Sequence, residues 1–206
     1  MNFNTAEFRA SYGRADQIPP SDIPEIVFSG KSNVGKSSLI NKILNRKAIA
    51  KVSSKTGKTA TINFFGLKEA YFADLPGYGY AKVSQSEKER WAELVEGYFA
   101  QQRNIPLVIQ ICDMRHPPTA DDMMMIDFLC SSGYNFIIAL TKMDKLKKTQ
   151  QIKRLEELSK ELSAYSDIPL FPFSAVTGEG MEDIKAYIEK RVNEELEEIE
   201  NYVRDN

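Results

Sequence analysis

The sequence predicts one α/β domain, in which a mainly parallel sheet of six strands carries helices on both faces. Short apolar runs of strand length alternate along the chain with segments whose apolar residues recur at helical spacing. The first run ends in a glycine-rich phosphate-binding pattern, GKSNVGKS, which opens a helical segment. A chain of 206 residues suits one such domain with a full-sized core.

The predicted elements follow one another along the chain. Residues 1–23 carry turn signals at Pro19 and Pro20 and are expected to form a flexible leader before a domain at residues 24–206. Strands are predicted for PEIVFSG, for two segments joined by a tight turn in TINFFGLKEAYFADLP, and for PLVIQICDM, NFIIALTKMD and IPLFPFSA. Helices are predicted for KSSLINKILN, SQSEKERWAELVEGYF, TADDMMMIDFLCSSG, residues 149–164 and a long acidic segment from residue 180 to about 203. The loops after the parallel strands should form the ligand crevice.

Charge is unevenly distributed along the chain. The 27 Lys and Arg residues nearly balance the 29 Asp and Glu residues, so the net charge does not indicate a class of binding partner. Between residues 26 and 68, however, nine residues are Lys or Arg and none is acidic, whereas the chain after residue 181 is mainly acidic. We expect an electropositive surface on the N-terminal half, which either balances a bound nucleotide or also contacts RNA phosphates.

The cysteines and the apolar runs indicate a cytoplasmic protein. Cys112 and Cys130 each lie in an apolar run, which predicts two buried, reduced thiols. The N-terminus lacks the apolar core of a signal peptide, and no run approaches the length of a membrane span. We therefore expect no membrane insertion.

The pattern GKSNVGKS at residues 30–37 predicts a phosphate-binding loop between a strand and a helix. Gly30 and Gly35 let the backbone curl, so that its N–H groups and the helix N-terminus face the β-phosphate. Lys36 would bridge the β- and γ-phosphates, and the hydroxyl of Ser37 would bind Mg²⁺.

The segment DLPG at residues 74–77 predicts the second half of this site. Asp74 would hold Mg²⁺ through a bound water, and the N–H of Gly77 would contact the γ-phosphate, so the segment that follows would respond to hydrolysis. Tyr78 comes next and can neither deprotonate water at neutral pH nor orient it as an amide would. We expect Tyr78 to lie in a mobile segment that reports the nucleotide state to a partner.

The tetrad TKMD at residues 141–144 predicts recognition of guanine. The carboxylate of Asp144 matches the N1–H and 2-amino donors of guanine and mismatches adenine, and the stem of Lys142 can lie over the ring. An unpaired buried carboxylate would cost several kcal/mol against adenine. The segment FSA at residues 173–175 would add a backbone N–H for guanine O6.

A threonine between the first two motifs should complete the magnesium site. A loop that closes over the γ-phosphate needs a hydroxyl for the metal and an N–H for the phosphate. Thr56, Thr59 and Thr61 all lie in KTGKTATINFF, and their sequence separation from Lys36 does not show which of them binds the metal.

Taken together and in this order, the motifs resemble those of the TRAFAC-class GTPases, and within them the EngB family of bacterial ribosome-assembly GTPases. The segments that carry the resemblance are SGKSNVGKSSLIN, SSKTGKTATINFF, DLPGYGYAKVS and DMRHPPTADD. It covers roughly residues 24–191 and implies a single P-loop GTPase domain with slow GTP hydrolysis. It also implies a monomeric switch in assembly of the large ribosomal subunit, needed for normal cell division and septation. The implied partners are GTP, GDP and the large ribosomal subunit or its precursor, with no DNA.

The resemblance also assigns individual residues. It implies that Thr59 is the switch threonine and second Mg²⁺ ligand beside Ser37, and that Asn33 helps to hold a K⁺ ion beside the phosphates. The residues implied to bind GTP are Gly30, Lys31, Ser32, Asn33, Val34, Gly35, Lys36, Ser37, Gly57, Lys58, Thr59, Ala60, Thr61, Asp74, Leu75, Pro76, Gly77, Thr141, Lys142, Met143, Asp144, Phe173, Ser174 and Ala175. None is assigned as a catalytic base.

Two other functions remain compatible with the sequence. One is a nucleotide-gated interaction module with negligible turnover, and the other is an ATP-using P-loop phosphotransferase. The TKMD tetrad argues against ATP, whereas no motif excludes the interaction module.

Overall fold

Seven strands pair into one sheet in the computed structural model, which describes residues 1–21, 23–50, 60–79 and 84–205. In sheet order they run β1-β3-β4-β2-β5-β6-β7. The strands are β1 (Glu7–Tyr12), β2 (Glu25–Gly30), β3 (Ile62–Gly66), β4 (Tyr71–Asp74), β5 (Leu107–Asp113), β6 (Phe136–Thr141) and β7 (Leu170–Pro172). Strand β3 pairs antiparallel with β1 and β4, and all other pairs are parallel. The mainly parallel sheet predicted from the sequence is therefore confirmed, with one strand more than expected.

Helices cover both faces of the sheet, as predicted. They are α1 (Lys36–Ile43), α2 (Gln85–Phe99), α3 (Ala120–Ser131), α4 (Lys148–Glu161) and α5 (Met181–Asp205). Helices α1 and α5 pack on one face, and α2, α3 and α4 pack on the other. Alternate residues of β2 supply the two cores, because Ile26 and Phe28 face α1 and α5 whereas Val27 faces α2 and α3. None of the helices described is long and apolar enough to cross a membrane.

The N-terminal segment is not the flexible leader that the sequence analysis predicted. Residues Glu7–Tyr12 form β1, an edge strand whose Phe8 and Tyr12 rings contact Phe65 and Phe64 with centroid distances of 6.1 and 5.8 Å. Phe3 is also buried in the core, with its ring 6.2 Å from that of Phe72. Strand β1 escaped prediction because an edge strand buries few of its side chains and so lacks a strong apolar run.

A buried ionic network joins the start of β2 to the end of α2. The carboxylate of Glu25 accepts hydrogen bonds from Arg103 Nε at 2.9 Å and from the Tyr98 hydroxyl at 2.6 Å. Glu25 is 1% exposed, and the guanidinium of Arg103 also lies 5.0 Å from the centre of the Tyr98 ring. The network lies at the opposite end of β2 from the phosphate loop, so it supports the sheet rather than the candidate site.

The two thiols differ in exposure. Cys112 is buried in β5, where burial raises its pKa above the ordinary value. Cys130 is exposed on α3, so the prediction that both thiols are buried was wrong for Cys130. The error arises because Cys130 lies on the solvent side of a helix whose apolar residues extend around most of its circumference.

Candidate functional site

The glycine-rich loop leads directly from β2 into α1. Gly30 packs so closely on β5 that an added Cβ would lie 2.9 Å from the carbonyl oxygen of Ile111. Gly35 is the N-cap of α1 and has φ of 113°, a left-handed conformation that favours glycine. Asn33 also has a positive φ, 62°, at the exposed turn of the loop. The loop therefore curls back on itself, as a phosphate-binding loop must.

Lys36 and Asp74 meet at the carboxyl edge of the sheet. Asp74 ends β4, which pairs with β2 so that Phe28 and Asp74 are register partners. The ammonium of Lys36 forms an ion pair with the Asp74 carboxylate, and both side chains are largely buried. Two residues predicted from separate motifs thus form one charged centre at the start of α1.

The segment after Asp74 lies against the phosphate loop. The N–H of Ser32 donates to the carbonyl oxygen of Tyr78 at 2.8 Å, and an added Cβ on Gly77 would lie 3.0 Å from Ser32 Oγ. That hydroxyl oxygen is buried and, within the described part of the chain, has no hydrogen-bond partner. The close approach favours glycine at position 77 and joins the two predicted halves of the site.

Tyr78 occupies a buried polar socket that sequence analysis did not predict. Its hydroxyl donates to Asp122 Oδ1 at 2.6 Å and accepts from Gln110 Nε2 at 2.6 Å. Burial, followed by the nearby Asp122 carboxylate, raises the pKa of Tyr78 far above its ordinary value. The ring also contacts Trp91, whose indole N–H donates to the carbonyl oxygen of Pro76 at 2.8 Å. Tyr78 therefore connects the segment after Gly77 to α2 and α3.

One side of this socket is formed by the start of α3, where the sequence predicts a helix but not its contact with Tyr78. Thr119 and Asp122 form a capping box, in which Asp122 Oδ2 accepts from the N–H of Thr119 at 2.8 Å. The other carboxylate oxygen of Asp122 is left for Tyr78. Tyr78 lies 44 residues before Asp122, so local sequence spacing could not predict that the two side chains meet.

The end of β6 is joined to the phosphate loop by two hydrogen bonds. Thr141 Oγ1 donates to the carbonyl oxygen of Val34 at 2.7 Å, and Lys142 Nζ donates to that of Asn33 at 3.0 Å. Lys142 has φ of 64°, which turns the chain sharply after the strand. The predicted base-reading tetrad and the predicted phosphate loop are therefore neighbours.

Asp144 is held by the segment after β7. Ser174 Oγ donates to Asp144 Oδ1 at 2.8 Å, and this hydrogen bond lowers the pKa of Asp144 below its ordinary value. The same serine oxygen accepts from the N–H groups of Val176 and Thr177 at 3.2 and 3.1 Å. Asp144 is consequently a charged, oriented carboxylate at neutral pH.

Other predicted residues fall into three groups. Met143 and Phe173 are buried and support the loops that carry Asp144 and Ser174, and Ala175 follows directly. Ala60 and Thr61 precede β3, whose Asn63 is the register partner of Asp74, so they lie at the same edge of the sheet. Gly57, Lys58 and Thr59 lie outside the described residues, as does Thr56.

A protein metal centre is not apparent in the described ranges. Within residues 1–21, 23–50, 60–79 and 84–205, no three His, Cys, Asp or Glu side chains are grouped so as to hold a metal ion. Ser37 is the second residue of α1 and lies beside Lys36 at the end of the loop.

Comparison with known proteins agrees with this geometry. Residues 25–142 match the family model described as 50S ribosome-binding GTPase. A probable GTP-binding protein EngB from Geobacillus sp. (strain WCH70) is 44% identical over 191 residues, covering 92% of this chain and 99% of the relative. A protein of the same description from Gemmatimonas aurantiaca is 48% identical over 167 residues, covering 81% of each chain.

Solved structures agree at the level of the fold. A crystal structure of a probable GTP-binding protein EngB superposes with a TM-score of 0.66 at 24% identity, covering 82% of this chain and 99% of the other. Era in complex with MgGDPNP and nucleotides 1506–1542 of 16S ribosomal RNA superposes with a TM-score of 0.63 at 20% identity, covering 83% and 57%. By its sequence relatives and its fold, this chain belongs to the EngB family of GTP-binding proteins and is a GTPase.

Proposed function

We propose that this GTPase binds GTP with Mg²⁺ at the edge of the sheet where β2, β4, β6 and β7 end. The observation that carries the proposal is that three separate motifs converge there. Lys36 and Asp74 lie on the phosphate side, and Asp144 with Ser174 lies on the base side. The backbone N–H groups of residues 30–37 would hold the β-phosphate, and Lys36 would neutralise the β- and γ-phosphates.

The donor set of the site fits a triphosphate with a divalent cation. The Ser32 hydroxyl, buried and without a partner in the described ranges, and the backbone cradle beside Gly77 suit phosphate oxygens. Ser37, Asp74 through a water molecule, and Thr59 are the proposed ligands of Mg²⁺. When bound, Mg²⁺ would supply positive charge to the β- and γ-phosphate oxygens. The water that attacks the γ-phosphate would be placed by backbone groups, a cation or the ribosome, because Tyr78 is buried and strongly disfavours ionisation.

Guanine would be selected by Asp144, with Lys142 over the ring and the backbone of Ser174 and Ala175 beside O6. This assignment is supported by the orientation of the Asp144 carboxylate and its lowered pKa. Equilibrium competition between GTP and ATP for a fluorescent GDP analogue tests it. We expect ATP to compete at least about a hundredfold more weakly, since adenine would cover the Asp144 carboxylate without offering it the two donors of guanine. Equal competition would contradict the assignment.

Potassium is the second proposed ion, held with the help of Asn33. The exposed position of Asn33 at the turn of the phosphate loop supports this role. A monovalent cation there would supply the charge that an arginine finger supplies in other GTPases. Single-turnover hydrolysis should be faster in potassium than in sodium, and Asn33→Ala should remove the difference. Equal rates in both salts for both proteins would exclude this role.

The proposed biological role is a GTP-controlled switch in assembly of the large ribosomal subunit in the cytoplasm, required for normal division and septation. The description of the matching family, 50S ribosome-binding GTPase, supports a ribosomal partner, and Era of the same fold is seen with ribosomal RNA. Slow turnover of the isolated protein would then be raised by the partner. Negligible turnover in the presence of ribosomal subunits and potassium would instead favour a nucleotide-gated interaction module.

An electropositive surface beside the site would contact ribosomal RNA in this role. Lys42 and Lys47 belong to the acid-free segment, and Lys47 is exposed. Arg46 is exposed as well, and its guanidinium donates to the carbonyl oxygen of Asn4 at 2.9 Å. Charge reversal at Lys47 should weaken ribosomal binding and flatten its dependence on salt. Unchanged binding would count against RNA contact by this surface.

A further inference from the structure

The end of β5 places an acidic side chain next to the guanine-reading tetrad. Asp113 is the last residue of β5 and the register partner of Thr141 in β6. Its Oδ2 lies 3.0 Å from Lys142 Nζ. Lys142 therefore reaches a carboxylate on the neighbouring strand and, at 3.0 Å, the carbonyl oxygen of Asn33 in the phosphate loop.

Asp113 is itself held in place by Arg115. Arg115 donates to its two carboxylate oxygens from Nε at 2.9 Å and from Nη2 at 2.7 Å, and the backbone N–H of Arg115 donates at 3.1 Å. Burial alone would raise the pKa of Asp113, but the hydrogen bonds from Arg115 and Lys142 outweigh it and hold that pKa well below the ordinary value. The Asp113 carboxylate is therefore ionised and held in one position.

This arrangement restricts a side chain that is otherwise among the most mobile. A free lysine loses rotamer entropy when its side chain is fixed in one conformation. Lys142 is restrained at its ammonium by Asp113 and Asn33 and at its backbone by the turn after β6. Its methylene stem, the part proposed to lie over guanine, is therefore set before the base arrives.

We propose that Asp113 is a positioning residue for guanine-nucleotide binding, which acts by holding Lys142 across the base side of the site. The inference rests on the proposed function, because it needs Lys142 to lie over guanine. Asp113 touches neither base nor phosphate in this role. Its effect on affinity should therefore depend entirely on Lys142.

A double-mutant cycle on the full chain tests the inference. The dissociation constant of a fluorescent GDP analogue is measured for the wild type, Asp113→Ala, Lys142→Ala and the double variant. Asp113→Ala should weaken binding about tenfold in the wild-type background and less than about twofold in the Lys142→Ala background. Asp113→Asn, which keeps an acceptor of the same shape but loses the charge, should fall between the wild type and Asp113→Ala.

Controls separate positioning from a structural effect. Arg115→Ala removes the other partner of Asp113 but keeps the contact of Asp113 with Lys142, so it should weaken binding less than Asp113→Ala. A loss as large as that of Asp113→Ala that persists in the Lys142→Ala background would show that Asp113 only holds the turn after β5. Asp167→Ala, at an exposed position remote from the site, should bind like the wild type. An equal loss from Asp113→Ala with and without Lys142, or no loss, would overturn the inference. Failure of the wild type itself to bind GDP would instead overturn the proposed function.

Discussion

At the scale of single residues, the proposed choice of guanine depends on one oriented carboxylate. Asp144 is held by Ser174, and its charge is favoured by that hydrogen bond. Replacing Asp144 by Asn exchanges one acceptor for a donor, which opposes the 2-amino group of guanine but matches the 2-oxo group of xanthine. We expect Asp144→Asn to weaken GDP binding by about a hundredfold or more and to improve binding of xanthosine diphosphate.

Equilibrium titration with both nucleotides measures this exchange of specificity. Asp167→Asn makes the same chemical change at an exposed position and should leave both affinities as in the wild type. Retention of guanine preference by Asp144→Asn would show that another group reads the base.

The residues of the site differ in how far the sequence could predict them. Lys36, Asp74 and Asp144 belong to short motifs whose spacing carries their chemistry, and the structure brings them to one edge of the sheet. Asp113 and Asp122 lie in DMRHPPTADD, a segment that carries the family resemblance, but its spacing does not indicate their partners, which come from other strands and loops. Contacts of this kind depend on strand register, which local patterns do not determine.

At the scale of elements, the ionic network behind β2 should support stability without affecting nucleotide affinity. Removal of Arg103 leaves the buried carboxylate of Glu25 without its cation. We expect Arg103→Ala to lower the free energy of unfolding by about 3 kcal/mol or more, as for other broken buried pairs. Chemical denaturation measures the change, with the exposed Lys88→Ala as a control within about 0.5 kcal/mol of the wild type.

The GDP affinity of Arg103→Ala shows whether the Glu25–Arg103 network stabilises only the sheet or also the nucleotide site. The network lies at the N-terminal end of β2, whereas the phosphate loop follows its C-terminal end. Folded Arg103→Ala should therefore bind GDP like the wild type. Unchanged stability, or a selective loss of GDP affinity, would contradict this division.

Helices and strands were predictable where their buried residues recur at a regular spacing in the sequence. The parallel strands and five helices have continuous apolar runs or helical spacing, and all appear in the structure. Strand β1 has alternating Phe8, Ala10 and Tyr12, but its pattern is short, lies at the sheet edge and includes an irregularity between Phe8 and Ala10. The pairing with β3 stabilises it, and pairing between distant segments is not encoded in either one alone.

At the scale of the whole molecule, Tyr78 connects the segment after Gly77 to two helices. The N–H of Gly77 is proposed to contact the γ-phosphate, and the Tyr78 hydroxyl donates to Asp122 in α3 and accepts from Gln110 in β5. Tyr78→Phe keeps the ring against Trp91 but removes the hydroxyl. We expect it to cost about 1–3 kcal/mol of stability, because buried polar partners lose a hydrogen bond.

The same variant should show whether Tyr78 acts in nucleotide binding or in coupling the nucleotide state to ribosomal binding. GTP affinity of Tyr78→Phe should stay within about threefold of the wild type, whereas the difference in ribosomal binding between the GTP and GDP states should shrink. Tyr78→Ala, which also removes the ring contact with Trp91, should have the larger effect on that difference. A large loss of GTP affinity in Tyr78→Phe would mean that Tyr78 serves the nucleotide site directly.

The central claim is that bound nucleotide controls association with the large ribosomal subunit. Co-sedimentation of the wild-type protein with purified large and small subunits, in a non-hydrolysable GTP analogue and in GDP, tests it most directly. The account predicts association with the large subunit in the GTP-analogue state and at least about tenfold weaker association in GDP. Equal association in both states, or association with neither subunit, would contradict it.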